Sequence, residues 1–203
     1  MKNKGVLYAL CAGISWGISL GIFGRTMTSF GFTAMQVSAV RTTISAITFI
    51  ILALVTDRKA FRLNPKDIWI FLCSGFISVT LFCWCYFTST RLCSLAVGGV
   101  LQYTAPVWVV VFSAVIFKEP ITKVKAAAMV IAIAGCVLVS GITHGVGQVS
   151  AFGLVAGVFS GITYGSYTIF TRFAVPKYRT MTINVYTFIV ASTTSLLLSS
   201  PVK

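Results

Sequence analysis

The sequence predicts an all-α polytopic membrane protein with seven transmembrane helices, arranged as a five-helix repeat followed by an inverted and incomplete copy. Three observations carry this. Of 203 residues, 57% are hydrophobic and 9% charged, a balance foreign to water-soluble domains of this length. Uncharged runs cover 5–24, 68–90, 92–117, 126–143, 145–171 and 180–202, each about long enough to cross roughly 30 Å of hydrocarbon as a helix. A motif close to the N-terminus recurs 148 residues later.

The elements follow in order. Lys2 and Lys4 precede the first span, whose run is too long for a signal-peptide core and lacks a clear A-x-A site, so it is expected to stay in the mature chain. A second span runs from about Thr33 to Thr56 and is apolar apart from Arg41; Thr33 with Gln36 forms a capping box after a turn at Gly31. Asn64, Pro65 and Asp67 read as N-cap, first-turn proline and third-position acid of the third span, which gives Asp67 a structural role.

The fourth span holds "LAVGGVLQYTAPVWVV" at 95–110. Pro106 cannot donate to the carbonyl of Gln102, and Gly98, Gln102 and Pro106 fall at i, i+4 and i+8, a column expected to line protein or water, with Tyr103 beside it. A packed kink is the plainer alternative. Glu119 and Pro120 restart the chain before the fifth span, and two more spans follow. A membrane barrel would instead alternate in polarity over about ten residues per strand.

Sixteen Lys and Arg against three acids give a net charge of +13, which in a soluble chain would suggest nucleic acid. Placement in a bilayer explains it better. With the N-terminus cytoplasmic, 12 basic residues fall on the inner side and 3 (Arg25, Arg91 and Lys203) on the outer, as the positive-inside rule requires. The expectation is a multi-pass protein of the plasma membrane with no nucleic-acid partner. Six cysteines lie in or beside the spans without paired spacing and read as small packing residues.

The repeat sets "GVLYALCAGISWG" (5–17) against "GLVAGVFSGITYG" (153–165), matching Gly5, Gly13, Ile14 and Gly17 with Gly153, Gly161, Ile162 and Gly165, and Trp16 with Tyr164. Five spans separate the copies. The sixth therefore enters from the side opposite to the first, and the repeats are inverted. The units are 1–143 and 144–203, the second holding only two of its five helices. Roughly three more helices would complete it, so the chain is read as partial and inactive in transport by itself; a native seven-helix protein is the alternative.

"GISWG" at 13–17 also fits the G-x-S-x-G elbow of serine hydrolases. That reading fails because Ser15 sits mid-span, the single histidine, His144, lies in a loop, and the second copy carries Thr163. Glycine every fourth residue, at Gly13, Gly17 and Gly21 and again from Gly153 to Gly165, makes a smooth ridge for close helix packing. Trp16 and Tyr164 flank the ridges, placed either to pack in the core or to stack on a substrate. Arg41 is the one charge inside a span, where a guanidinium costs about 2.5–3.5 kcal/mol on insertion scales. Snorkelling to the headgroups competes with an interior role, and Ser45 and Thr48 on its face favour the interior.

These residues resemble the drug/metabolite transporter superfamily, specifically the EamA-like ten-helix exporters. The likeness rests on "GISWG", Arg41, "LAVGGVLQYTAPVWVVVFSAVIFKEPIT" at 95–122 and "AGCVLVSG" at 134–141, and reaches about seven of ten helices. It implies a basket of inverted repeats around a central cavity, with Trp16, Arg41, Gln102, Tyr103 and Tyr164 as substrate-binding candidates. The expected function is secondary transport, exporting or exchanging a small organic metabolite by alternating access. Arg41 would orient an anionic group and the aromatic residues would stack on apolar parts. The rival reading is a non-transporting scaffold or sensor subunit that uses its glycine ridges for assembly. No catalytic set, cofactor or metal is called for. The expected partners are the metabolite and the lipid bilayer, and a homodimer is left open. No intramembrane carboxylate is available for proton coupling.

Overall fold

A computed structural model describes residues 2–139 and 150–199; His144, Lys203 and the expected repeat boundary at 143/144 lie outside them. Seven helices are seen: α1 (Gly5–Ser29), α2 (Ala34–Thr56), α3 (Pro65–Leu92), α4 (Leu95–Phe117), α5 (Lys123–Val139), α6 (Ala151–Ala174) and α7 (Thr180–Ser199). Five of them, α1 to α4 and α7, are long and apolar enough to cross a membrane. The other two coincide with the remaining runs of the sequence, and no strand occurs among the described residues, so the chain is an all-α, multi-pass membrane protein.

Local signals set the helix ends. Thr33 accepts from the Gln36 N–H while the Gln36 side chain accepts from the Thr33 N–H, completing the capping box of α2. Asn64 accepts from Lys66 N–H and Pro65 sits in the first turn of α3. Asp67 departs from its expected capping role: its carboxylate accepts from Lys177 at 2.6 Å and from the Tyr178 hydroxyl at 2.8 Å, reaching across to another connection. Those contacts define a basic end, where the α2–α3, α4–α5 and α6–α7 connections meet through Asp57–Arg179 at 2.7 Å, Asp67–Lys177 and Glu119–Arg172 at 2.6 Å. At the opposite end the Cys93 thiol, between α3 and α4, donates to the Ser150 carbonyl before α6.

Helix α3 is the hub, packing on α2, α4, α6 and α7, whereas α6 lies across α3 and α4, and α7 across α2 and α3. Helices α2 and α7 run antiparallel, as shown by the pairs Ser38–Ser195 (3.1 Å), Thr43–Ser192 (2.8 Å) and the stacked rings Phe49–Phe188. Hydroxyl pairs also join α3 to its neighbours, Ser74–Thr187 (2.8 Å), Thr80–Thr194 (2.7 Å) and Ser78–Ser166 (2.7 Å). Without water to compete, such pairs hold helices together by about 0.6 kcal/mol each on average.

The glycine ridge of α6 seats on a break in α4. Helix α4 consists of Leu95–Gln102 and Ala105–Phe117 joined by a turn at Tyr103 and Thr104, with the Thr104 hydroxyl donating to the Leu101 carbonyl at 2.7 Å. Pro106 stands in the first turn of the second piece, where its missing N–H breaks no bond. The turn rotates the two pieces relative to each other, so the expected column is split: Gly98 and Gln102 are buried and Pro106 is exposed. A Cβ on Gly161 would come within 3.1 Å of the Leu101 carbonyl oxygen and one on Gly165 within 3.1 Å of that of Ala105. Close packing thus holds for α6. It does not hold for α1, where Gly13, Gly17 and Gly21 meet nothing within 4 Å.

Two outcomes follow from this packing. Gly161→Ala should lower unfolding stability in detergent by about 1–3 kcal/mol, because α4 backbone and Thr104 must give way, while Gly13→Ala should match or exceed the parent by up to about 1 kcal/mol of helix propensity; thermal or SDS titration measures both. The hydrogen bond from Arg179 holds the Asp57 carboxyl below its ordinary 3.8, against an opposing effect of burial. A lowered carboxyl stabilises the fold above its ordinary value and loses that contribution as pH falls through the lowered one. Peptic cleavage of the α6–α7 connection should therefore rise only below about pH 4, and Asp57→Asn should weaken that pH dependence, leaving the part carried by Asp67, whose carboxyl is held low by Lys177 and Tyr178.

Candidate functional site

A cavity of about 270 Å³ lies where α1, α2, α3, α6 and α7 approach one another, lined by Trp16, Arg41, Phe49, Ser78, Val79, Phe82, Tyr164, Tyr167 and Phe188. Two of its helices are locally widened to i→i+5 bonding, α1 over Gly17–Phe23 and α3 over Phe76–Leu81. Such widened turns recur at functional sites because they free backbone and re-aim side chains. Here they set Ser19 and Ser78 toward the space around Arg41.

Arg41 is half-buried and held by neutral partners. Its Nε donates to the Ser19 hydroxyl at 2.9 Å and its Nη1 to the Cys83 sulfur at 3.0 Å, while the guanidinium carbon stands 5.7 Å from the Trp16 ring centre. All three acids of the chain are at the basic end, so the charge meets no carboxylate. A guanidinium carries five donors, and among the described residues two of them find a partner. The rest are available to an anion entering the cavity. On the far side of Arg41 a second hollow of about 240 Å³ is lined by Ser19, Ile44 and Ser45 among others. Thr48 is exposed and donates to the Ile44 carbonyl, so only Ser45 of the two expected neighbours joins Arg41.

Aromatic rings form the walls. Trp16 and Tyr164 meet edge to face at 5.7 Å, and Phe82 packs on Tyr164 at 5.1 Å. Three of the five sequence candidates, Trp16, Arg41 and Tyr164, thus share one cavity. Gln102 and Tyr103 do not line it. Gln102 is buried in α4, and Tyr103, at the break, is 67% exposed.

Sequence reasoning passed over Ser19, Cys83, Phe82, Phe49, Tyr167 and Phe188. Helical spacing could have found some: Ser19 and Tyr167 lie three residues beyond Trp16 and Tyr164, and Phe49 two turns beyond Arg41. Nothing in the 68–90 stretch of α3, uncharged and rich in aromatic residues, distinguishes Phe82 or Cys83 from its neighbours. The resulting chamber, a cation under aromatic walls, can hold an anionic head attached to an apolar or aromatic body. Among the described residues no group of His, Cys, Asp and Glu is placed to hold a metal ion.

No curated protein matches the chain, and no solved structure does. The sequence profile described as the EamA-like transporter family matches residues 3–141, well over half of the sequence. With its multi-pass helical fold, the chain therefore belongs to the EamA-like transporter family, membrane transporters of the drug/metabolite type.

Proposed function

We propose that the protein is a secondary transporter that exports or exchanges a small organic anion with an apolar or aromatic portion, using the cavity beneath Arg41. The observation that carries this reading is the guanidinium of Arg41, half-buried among helices, hydrogen-bonded among the described residues to Ser19 and Cys83, and facing Trp16 and Tyr164. An ionised group placed at membrane depth without a counter-charge is costly to keep and is typically retained for a ligand or an ion path.

Two rocking units, 1–143 and 144–203, are part of the proposal. Support comes from the antiparallel α2–α7 seam and from the meeting of Trp16 with Tyr164, its counterpart 148 residues on. Counterparts touch each other only near the axis that relates two copies. The proposal includes a plasma-membrane location with the N-terminus and basic end cytoplasmic, the orientation being supported by the asymmetry of Lys and Arg.

Flux measured after reconstitution in vesicles tests this. Arg41→Ala should lower flux of an aromatic carboxylate about tenfold or more, the range of a lost charge-assisted hydrogen bond, and Trp16→Ala and Tyr164→Ala should weaken apparent affinity. Parent-level flux in all three variants would remove the site. A scaffold role is favoured by one observation, the open glycine face of α1. It predicts a dry interior, so a polar thiol reagent should then fail to reach Ser78→Cys from either side.

A further inference from the structure

The chain has three carboxylates, and all three are committed to one hairpin. Asp57 follows α2 and binds Arg179; Asp67 opens α3 and binds Lys177 and Tyr178; Glu119 follows α4 and binds Arg172. The basic partners span the last turn of α6 and the connection into α7. Acids are scarce here, and they converge on this segment from two separate connections. Lys118, just before Glu119, is the non-glycine residue with positive φ, at 55°. Left-handed backbone is unfavourable for a lysine, and such strain persists where the surroundings require it. Here it ends α4 so that Glu119 meets Arg172, whose guanidinium also lies 4.0 Å from the Phe117 ring centre.

Behind the hairpin are two hollows in series. One, about 470 Å³, is bounded by Tyr167, Thr171, Arg172 and Pro176 among others. The other is the central cavity, and Tyr167 borders both. The Tyr167 hydroxyl donates to Asn184 Oδ1 at 3.3 Å, drawing α6 toward α7 at that level.

We infer that the α6–α7 connection is the gate between the central cavity and the basic end, with Tyr167 as its inner leaf and the three acid–base pairs as its latch. Permanent staples would be expected to be buried. The basic side chains are instead 48%, 55% and 66% exposed for Arg172, Lys177 and Arg179, and exposed pairs are individually weak enough to break reversibly. Arg172, Lys177 and Arg179 are then positioning residues of the transport cycle. They touch no substrate, and the assignment rests on the transport reading given above.

The test measures access, separately from flux. The full chain carrying Ser78→Cys in the central cavity is reconstituted in vesicles, and its modification by a membrane-impermeant maleimide applied at the basic end is followed by peptide mass spectrometry. Combining Asp57→Asn, Asp67→Asn and Glu119→Gln should speed modification about tenfold, the population shift that three weak pairs give together. The reversed pair Asp67→Lys with Lys177→Asp should keep the parent rate. A second variant covers a triple substitution that fails to fold: a disulfide between Glu119→Cys and Arg172→Cys should suppress modification, and reduction should restore it. A folded triple variant that reacts at the parent rate, or a disulfide-locked protein that reacts as fast as the reduced one, overturns the gate. Loss of the transport reading looks different, because flux would then ignore Arg41 while access still followed the latch.

Discussion

The fold depends on one constraint: inside hydrocarbon, a polar group must find its partner within the protein. Seven helices satisfy their own backbones, but the chain also takes many Ser and Thr side chains into the interior. Most are paired, although the buried hydroxyls of Ser89 and Thr171 meet no hydrogen-bond partner among the described residues. The pairs of α3 with α6 and α7, and of α2 with α7, meet most of this requirement and in doing so fix which helices are neighbours. Some hydroxyls turn back on their own helix instead, as Thr42 does to Ser38 and Thr163 to Phe159, and these carry no information about packing.

The same constraint makes Arg41 conspicuous. Its two protein partners are a hydroxyl and a thiol, neither of which neutralises the charge. Trp16 supplies part of what is missing through the face of its ring, at a distance where such attraction is modest. The chamber is consequently electropositive at one point and apolar elsewhere. On the proposed transport reading, that combination would discriminate against simple inorganic ions, which gain nothing from aromatic walls, and against neutral hydrocarbons, which gain nothing from the guanidinium.

How much of this was legible in the sequence varies with the kind of signal. Charge-free runs delimit the helices well because lipid enforces them, and the α2 capping box and the first-turn Pro65 are where local chemistry puts them. The repeat pairs Trp16 with Tyr164 in the sequence, and the two rings are in contact. Tertiary partnership was not legible. Asp67 has the sequence context of a cap and is used across the molecule; Gly13 and Gly161 have the same context, yet one faces open space and the other α4 backbone. The turn at Tyr103 and Thr104 broke a column that uninterrupted 3.6-residue periodicity would have kept, moving Pro106 to the surface and Tyr103 out of the cavity wall.

The hydroxyl seams have a mechanical consequence. Either oxygen of such a pair can serve as donor, and Thr80 already touches both Thr194 and Ser195 as well as the Ala191 carbonyl. A helix fastened this way can slip by a fraction of a turn, trading one partner for the next without leaving a bare dipole in lipid. Interlocked leucines would resist the same slip as a ratchet does. Along this seam α7 thus has more than one hydrogen-bond partner within reach of Thr80, while its apolar contacts at Phe188 and Val190 hold the register.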